Sequence, residues 1–381
     1  MPEPSKFQHW ISERLESRRI GGSLRRLKTY KGVDFCSNDY LGLAGKPLNS
    51  EPLPQSGATG SRLISGQSDY VSRIEDKIAR FHGFEAGLLF SSGYSANMGV
   101  ISALADRNTL ILSDELIHAS LIDGILLSRA NKLRFAHNDA ADLRAKLKQH
   151  SEKYERIFVV TETVFSMDGD IAPLTEIASI CEHYGAALIV DEAHSVGLYG
   201  PRGAGLVSEL GLQNKVAAVI YTFGKAPGYH GAVVCGSKAL QDYLINFCRP
   251  FIYTTAPSPQ TVSDIAAVYK RFAVAQDERS DLKEKISYFR DKLSGLGGLA
   301  FLDSHTPIQG IIIPGNEACR HAAAHLQNNG FAVKAILSPT VAKGEERLRI
   351  CLHAHNSFAE IDGLLASLGN SFETLNSQAA Q

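Results

Sequence analysis

An acid and a lysine stand just after two apolar runs, where they could do amine chemistry. Asp191 follows the run Ala186–Val190, which is typical of a buried parallel strand. Lys225 follows the next run, Val216–Phe223, and has Gly and Pro neighbours. The pair suits pyridoxal phosphate, which needs an amine to form an imine and a carboxylate to keep its pyridine nitrogen protonated. The alternative is that Asp191 merely ends a strand and Lys225 is an unrelated loop residue. The pair alone does not decide between these two interpretations.

A phosphate could bind where two serines precede Gly93 and Tyr94, between a predicted strand and a predicted helix. Free backbone N–H groups and the helix dipole favour an anion there. Thr222, three residues before Lys225, could place its hydroxyl on the same phosphate. An ordinary serine N-cap and a strand threonine are the alternatives.

Two histidines could contact the ring of the cofactor. His118 opens a predicted helix and could stack on a planar ring, whereas His194 lies three residues after Asp191 and could donate to a phenolate oxygen. A capping histidine and a loop histidine are the alternatives. No GxGxxG follows a strand and no Walker lysine is present, so neither nucleotide-binding motif is predicted.

Arg349 alternates with apolar residues on a predicted C-terminal strand, where an arginine could bind a carboxylate through two hydrogen bonds. A solvent-facing arginine is the alternative. His353 and His355 follow, but no carboxylate or cysteine joins them in a ligand pattern, and the six cysteines are scattered. We expect no metal site.

Strands and helices alternate through the first half of the chain, which predicts an α/β fold with a mainly parallel sheet. In such sheets ligands bind beyond the carboxyl ends of the strands. The candidate residues Ser91, Asp114, Glu162, Asp191 and Lys225 all lie at or just after predicted strand ends. The predicted elements are strands 86–90, 109–113, 133–136, 157–161 and 186–190, and helices 94–105, 118–129, 140–149 and 174–184.

The pattern changes after Pro250, where two long predicted helices precede short strands that alternate with helices. We interpret this part as a helical connector and a smaller α+β domain. The predicted boundaries are 1–45 for an N-terminal segment, 46–255 for a large cofactor-binding domain, and 256–381 for the connector and the small C-terminal domain.

The composition of the 381 residues is typical of a globular protein, with 39 Lys and Arg against 40 Asp and Glu. This balance predicts no nucleic-acid partner and no anionic membrane partner. The N-terminus has no apolar signal region, and no run approaches the ~18 apolar residues that a membrane span needs. We expect a cytoplasmic protein.

Several motifs in order resemble the α-oxoamine synthases, which are pyridoxal-phosphate enzymes with the aspartate-aminotransferase-like fold (fold type I). The resemblance covers about residues 34 to 354. Its motifs are Ser37–Gly42, Thr59–Gly66, Ser92–Asn97, His118–Leu121, Thr161–Asp170, Asp191–His194, Thr222–Lys225, Phe251–Thr255 and Arg347–Arg349.

The resemblance implies a role for each matching residue. Lys225 matches the lysine that binds the cofactor covalently, Asp191 the partner of the pyridine nitrogen, and His118 the stacking residue. Arg349 and Asn38 match contacts to the amino-acid carboxylate, and Arg25 resembles an acyl-chain contact. The other implied cofactor contacts are His194, Gly93, Tyr94, Ser166 and Thr222, with Thr254 and Thr255 reaching the neighbouring subunit's phosphate in a homodimer with shared sites.

The family branch that Gly60–Leu63 favours condenses L-alanine with a pimeloyl thioester of CoA or acyl carrier protein, and releases CO₂. Glycine or serine as the amino acid, or a catalytically silent partner subunit, are the alternatives. The presence of Lys225 and Asp191 argues against a silent subunit. Two segments depart from the family: the loop between Leu43 and Gly57 is short, and Pro227–His230 replaces smaller residues.

Overall fold

The computed structural model describes residues 5–295 and 300–379. By its internal contacts the chain divides into two units: Asn38–Ser166 with Asp170–Leu282, and Met1–Ser37 with Met167–Gly169 and Lys283–Gln381. This division differs from the predicted boundaries at both ends of the large domain. The N-terminal segment groups with the C-terminal residues because strand β1 (Val33–Asp34) pairs in parallel with β11 (Phe331–Ala332).

A seven-stranded sheet forms the centre of the larger unit. Its strands are β2 (Ala86–Phe90), β3 (Thr109–Asp114), β4 (Asn131–Phe135), β5 (Arg156–Glu162), β6 (Ala187–Asp191), β7 (Ala218–Thr222) and β8 (Ala232–Gly236). The strand order is β2-β8-β7-β6-β5-β3-β4; β8 pairs antiparallel with β2 and with β7, and the other pairings are parallel. Strands β2, β3, β7 and β8 are buried throughout, as expected for a sheet covered on both faces.

Helices precede, connect and follow these strands. They are α2 (Asp69–His82), α3 (Gly93–Leu104), α4 (Ala119–Ser128), α5 (Ala140–His150), α6 (Leu174–His183), α7 (Leu206–Glu209), α8 (Lys238–Phe247), α9 (Arg249–Ile252) and α10 (Pro259–Ala273). Helix α2 precedes this sheet, helices α3 to α7 connect the strands from β2 to β7, and α8 to α10 follow β8. Helix α2 begins at the N-cap Ser68 and ends at Gly83, whose φ of +80° suits a left-handed C-terminal cap. A short π-helix spans Arg62–Gly66, and two 3₁₀ turns span Pro201–Gly203 and Gln213–Lys215.

The smaller unit contains an antiparallel sheet of order β12-β13-β10-β9. Its strands are β9 (Ala300–Phe301), β10 (Ile308–Ile312), β12 (Lys334–Ile336) and β13 (Arg347–Cys351). Its helices are α1 (Lys6–Ile20), α12 (Asn316–Asn328) and α13 (Phe358–Ala379), while α11 (Gln276–Ser294) begins in the larger unit. Within the described ranges, no helix is long and apolar enough to span a bilayer.

The predicted strands and helices between residues 86 and 191 are confirmed, with ends that shift by one or two residues. Strand β8 was not predicted. The mainly parallel sheet with a smaller α+β part agrees with the expected fold class.

Candidate active site

The carboxyl ends of three adjacent parallel strands bring candidate residues together in the larger unit. Asp191 ends β6, Thr222 ends β7 and Glu162 ends β5. A cavity of about 200 Å³ opens beyond these ends. Seven of the predicted cofactor contacts line it: Gly93, Tyr94, His118, Asp191, His194, Thr222 and Lys225.

The carboxylate of Asp191 is buried and held by two N–H donors. The backbone N–H of Ala193 donates to Oδ1 (2.8 Å), and Asn97 Nδ2 donates to Oδ2 (2.6 Å). These two hydrogen bonds fix the direction of the carboxylate, so that it can serve as a partner for a buried positive charge in the cavity.

His118 is the N-cap of α4, and its ring belongs to the same hydrogen-bond chain. The backbone N–H of Ser120 donates to His118 Nδ1 (3.2 Å), and the Ser120 hydroxyl lies 2.7 Å from that nitrogen. Asn97 Nδ2 in turn donates to the Ser120 hydroxyl (2.9 Å). Burial lowers the pKa of His118 below its ordinary value; Asp191 and Asp123 oppose this lowering, and Lys225 adds to it. A neutral imidazole therefore lines the cavity at pH 7.

His194 is connected to Asn38 through a fully buried tyrosine. The Tyr40 hydroxyl lies 2.8 Å from His194 Nδ1 and donates to Asn38 Oδ1 (3.0 Å). Asn38 is not among the residues that line the cavity, but this chain links its side chain to one that is.

Another part of the cavity lining has the features of an anion site. Helix α3 begins at Gly93, and Ser92 caps it by accepting from the Ser95 N–H (3.1 Å). The buried Thr222 hydroxyl finds no hydrogen-bond partner in the part of the chain that the structure describes. A Cβ on residue 93 would lie 2.3 Å from Thr222 Cγ2. Glycine thus keeps the helix start beside an orphaned hydroxyl, and a phosphate would satisfy both.

The remaining predicted contacts are not among the residues that line this cavity. Ser166 is half-buried in a turn after β5, and Thr254 and Thr255 line a separate surface cavity of about 370 Å³. Arg349 is buried on β13 and Arg25 is exposed; both belong to the smaller unit. The roles of these five residues remain predictions.

Sequence reasoning missed two residues that organise the cavity, Asn97 and Ser120. Each lies near the start of a helix that follows a strand. Asn97 is four residues after Gly93 in α3, and Ser120 is two residues after His118 in α4. Their polarity at helix starts was the available signal, but it does not show which groups they contact. His230 and Gly224 also line the cavity without an assigned role.

Comparison with known proteins identifies the family. The model of the family "Aminotransferase class I and II" matches residues 30–368. The chain belongs to this family. It is 44% identical over 356 residues to an 8-amino-7-oxononanoate synthase of Marinobacter nauticus, which covers 92% of this chain and 89% of that protein.

Two solved structures are similar to this family member. A serine palmitoyltransferase with pyridoxal phosphate has a TM-score of 0.86 at 26% identity, over 99% of this chain and 100% of that one. An 8-amino-7-oxononanoate synthase of Francisella tularensis has a TM-score of 0.74 at 30% identity, over 91% and 99% of the two chains.

The chain is therefore a pyridoxal-phosphate-dependent acyltransferase of the α-oxoamine synthase group, with the aspartate-aminotransferase-like fold. The residues present fit this cofactor. The orphaned Thr222 hydroxyl and the start of α3 suit its phosphate, and the buried Asp191 suits its pyridine nitrogen. The expected fold, family and cofactor are confirmed.

Proposed function

We propose that the protein condenses L-alanine with a pimeloyl thioester, of CoA or acyl carrier protein, and releases CO₂ to form 8-amino-7-oxononanoate for biotin synthesis. The observation that carries this proposal is the single cavity that contains both Lys225 and Asp191. The relatives that carry this name, at 37 to 44% identity, support the choice of substrates.

Six residues that line the cavity have a proposed part in holding the cofactor. Thr222, Gly93 and Tyr94 would hold the phosphate, and Asp191 the pyridine nitrogen. His118 would contact the ring and His194 its phenolic oxygen. From the resemblance alone, Ser166 is a further contact, and Thr254 and Thr255 serve the site of a second subunit in a homodimer.

Lys225 is the proposed base of the reaction. Pyridoxal phosphate, when bound, supplies an electron sink that makes the α proton of an amino acid acidic. Lys225 lines the cavity, where its amine could remove that proton and later return one. Arg349 and Asn38 are proposed to hold the carboxylate that leaves as CO₂, and Arg25 to contact the acyl chain.

A product assay tests this function. The protein with pyridoxal phosphate is incubated with L-alanine and pimeloyl-CoA or pimeloyl-carrier protein, and 8-amino-7-oxononanoate is measured by mass spectrometry together with released CO₂. We expect product with alanine, and a fall of about 10³-fold in Lys225→Ala, which removes the general base. Absence of product with both thioesters would contradict the proposal.

Serine and glycine are the competing substrates, and one observation favours serine. The serine palmitoyltransferase structures superpose with TM-scores of up to 0.86. The same assay with L-serine and palmitoyl-CoA, or with glycine and acetyl-CoA as for 2-amino-3-ketobutyrate CoA ligase, decides between these reactions. A protein that turns over none of them would be a silent partner subunit.

A further inference from the structure

Glu162 is a buried acid in the cofactor cavity that has no assigned role. It ends β5, is 3% exposed, and lines the same cavity as Lys225. In the parallel pairing of β5 with β6 it lies directly opposite Asp191. Because paired residues on neighbouring strands project their side chains to the same face of a sheet, two acids share one side of the cavity.

Two adjacent buried carboxyl groups favour a state with one charge between them. Both oxygens of Asp191 accept hydrogen bonds, from the Ala193 N–H and from Asn97, which favours the charge on Asp191. Burial raises the pKa of Glu162 well above its ordinary value, and the charge of Asp191 raises it further. Asp114 acts in the same direction, whereas Lys225 and the His118 N–H oppose it.

Glu162 also contacts the residue that starts α4. Its Oε1 accepts a hydrogen bond from the backbone N–H of His118. That contact fixes the backbone from which the imidazole enters the cavity, and the Ser120 hydroxyl fixes the ring itself. Glu162 is thereby placed between the ring-nitrogen partner and the ring contact of the cofactor.

We propose that Glu162 and Asp191 form an acid pair that carries one negative charge, in which Asp191 holds the charge and the protonated Glu162 positions His118. Glu162 is then a positioning residue of the cofactor cavity. This inference concerns cofactor binding and does not depend on which amino acid or thioester reacts.

Two substitutions test the pair. Glu162→Gln keeps the acceptor for His118 and mimics the protonated acid, whereas Glu162→Ala removes the contact. We measure the dissociation constant of pyridoxal phosphate by fluorescence quenching, the visible circular dichroism of the bound cofactor, and the melting temperature without it. Glu176→Gln, on the exposed face of α6, controls for the loss of one carboxylate.

We expect Glu162→Gln to bind pyridoxal phosphate within about threefold of the wild type and to keep its circular dichroism band. Glu162→Ala should bind at least about tenfold more weakly and change the band, since the hydrogen bond that positions His118 is lost. If Glu162→Ala does not fold, Glu162→Met replaces it. The proposal is overturned if Gln binds as weakly as Ala, which would require a charged Glu162, or if Ala binds like the wild type.

Discussion

The Thr222 hydroxyl is buried beside the proposed phosphate site and has no hydrogen-bond partner among the described residues, so its removal tests that site. We expect Thr222→Val to weaken pyridoxal phosphate binding by roughly 10- to 100-fold, because hydrogen bonds to charged groups contribute about 1.5–3 kcal/mol. The cofactor-free protein should be as stable as the wild type or slightly more so, since an unsatisfied polar group is replaced by an apolar one.

Fluorescence titration and thermal melting of cofactor-free protein measure the two effects. Thr222→Ser keeps the hydroxyl and is the matched control, which should bind the cofactor nearly as well as the wild type. Unchanged affinity in Thr222→Val would mean that the hydroxyl does not serve the phosphate.

Single residues at strand ends were predictable, whereas their supporting partners were not. Asp191 and Lys225 follow apolar runs that any α/β chain must bring to one edge of the sheet. Asn97 and Ser120 matter because a hydrogen-bond chain from α3 to α4 connects Asp191 with His118. No local pattern encodes a contact between two helices that are distant in sequence.

At the level of elements, the start of α3 meets the end of β7 too closely for any side chain on residue 93. We expect Gly93→Ala to push Thr222 aside, because the added Cβ would lie 2.3 Å from its methyl carbon. Overpacking of this kind costs about 1–3 kcal/mol. Pyridoxal phosphate affinity should fall by at least about tenfold, as measured by equilibrium titration.

Gly57→Ala is the control for this substitution, since a Cβ there would meet nothing within 4 Å. Its affinity for the cofactor should equal that of the wild type. Equal affinities for both alanine variants would show that the phosphate site tolerates a side chain at Gly93.

A histidine clamp joins β3 to the turn after β5. His137 Nδ1 lies 2.9 Å from Asp114 Oδ1, and its Nε2 lies 2.7 Å from Asp170 Oδ2. Although burial lowers it, these two carboxylates raise the pKa of His137 to about 10. A folded-state pKa above the unfolded value of about 6.5 adds stability that is complete below pH 6.5 and is lost as the pH rises through 10.

We therefore expect His137→Gln to destabilise the protein by on the order of 2 kcal/mol at pH 6, and by much less at pH 10.5. Urea unfolding at the two pH values measures the difference. His183→Gln, at the exposed end of α6, controls for loss of an imidazole. A destabilisation that grows with pH would contradict the clamp.

The predictions of strands and helices succeeded where strands alternate with helices along the chain, and failed at the antiparallel strand β8. Strand β8, Ala232–Gly236, is as apolar as its neighbours, but no helix separates it from β7. Alternation of strands with helices was the signal used, and a strand that returns through a short loop gives no such signal.

At the level of the whole molecule, pairings between segments that are distant in sequence decide which unit each segment belongs to, and a local sequence pattern does not show this. Strand β1 pairs with β11, so residues 1–37 group with the C-terminal unit. The turn Met167–Gly169 joins the same unit, where Asp168 forms an ion pair with Arg347. The sequence analysis predicted a separate N-terminal segment, because a pairing between two strands that are distant in sequence leaves no pattern in either one.

A surface patch on the larger unit is a candidate for contact between two copies of the chain. We define the Ile64 patch as Leu63, Ile64, Tyr253, Thr254 and Thr255, which line one surface cavity. Ile64 is 85% exposed and Tyr253 72%. Large apolar side chains that are exposed together are typical of an interface.

The segments of the patch are held firmly, so a charge introduced there should act locally. Arg62 forms a bidentate, buried ion pair with Glu75 (2.8 and 2.9 Å), and the Ala256 N–H donates to the Gly60 carbonyl (2.9 Å). These contacts hold the two chain segments of the Ile64 patch in place. Neither contact involves the side chain of Ile64.

We expect the wild type to have twice the mass of one chain in multi-angle light scattering, and Ile64→Asp to have the mass of one chain, because a buried charge in an apolar interface is costly. If Thr254 and Thr255 serve the partner's phosphate, Ile64→Asp should also bind pyridoxal phosphate at least about tenfold more weakly. Val274→Asp, which adds a charge at an exposed apolar residue after α10, should keep both mass and affinity. A monomer that retains full affinity would separate dimer formation from the cofactor site, and a dimeric Ile64→Asp would place the interface elsewhere.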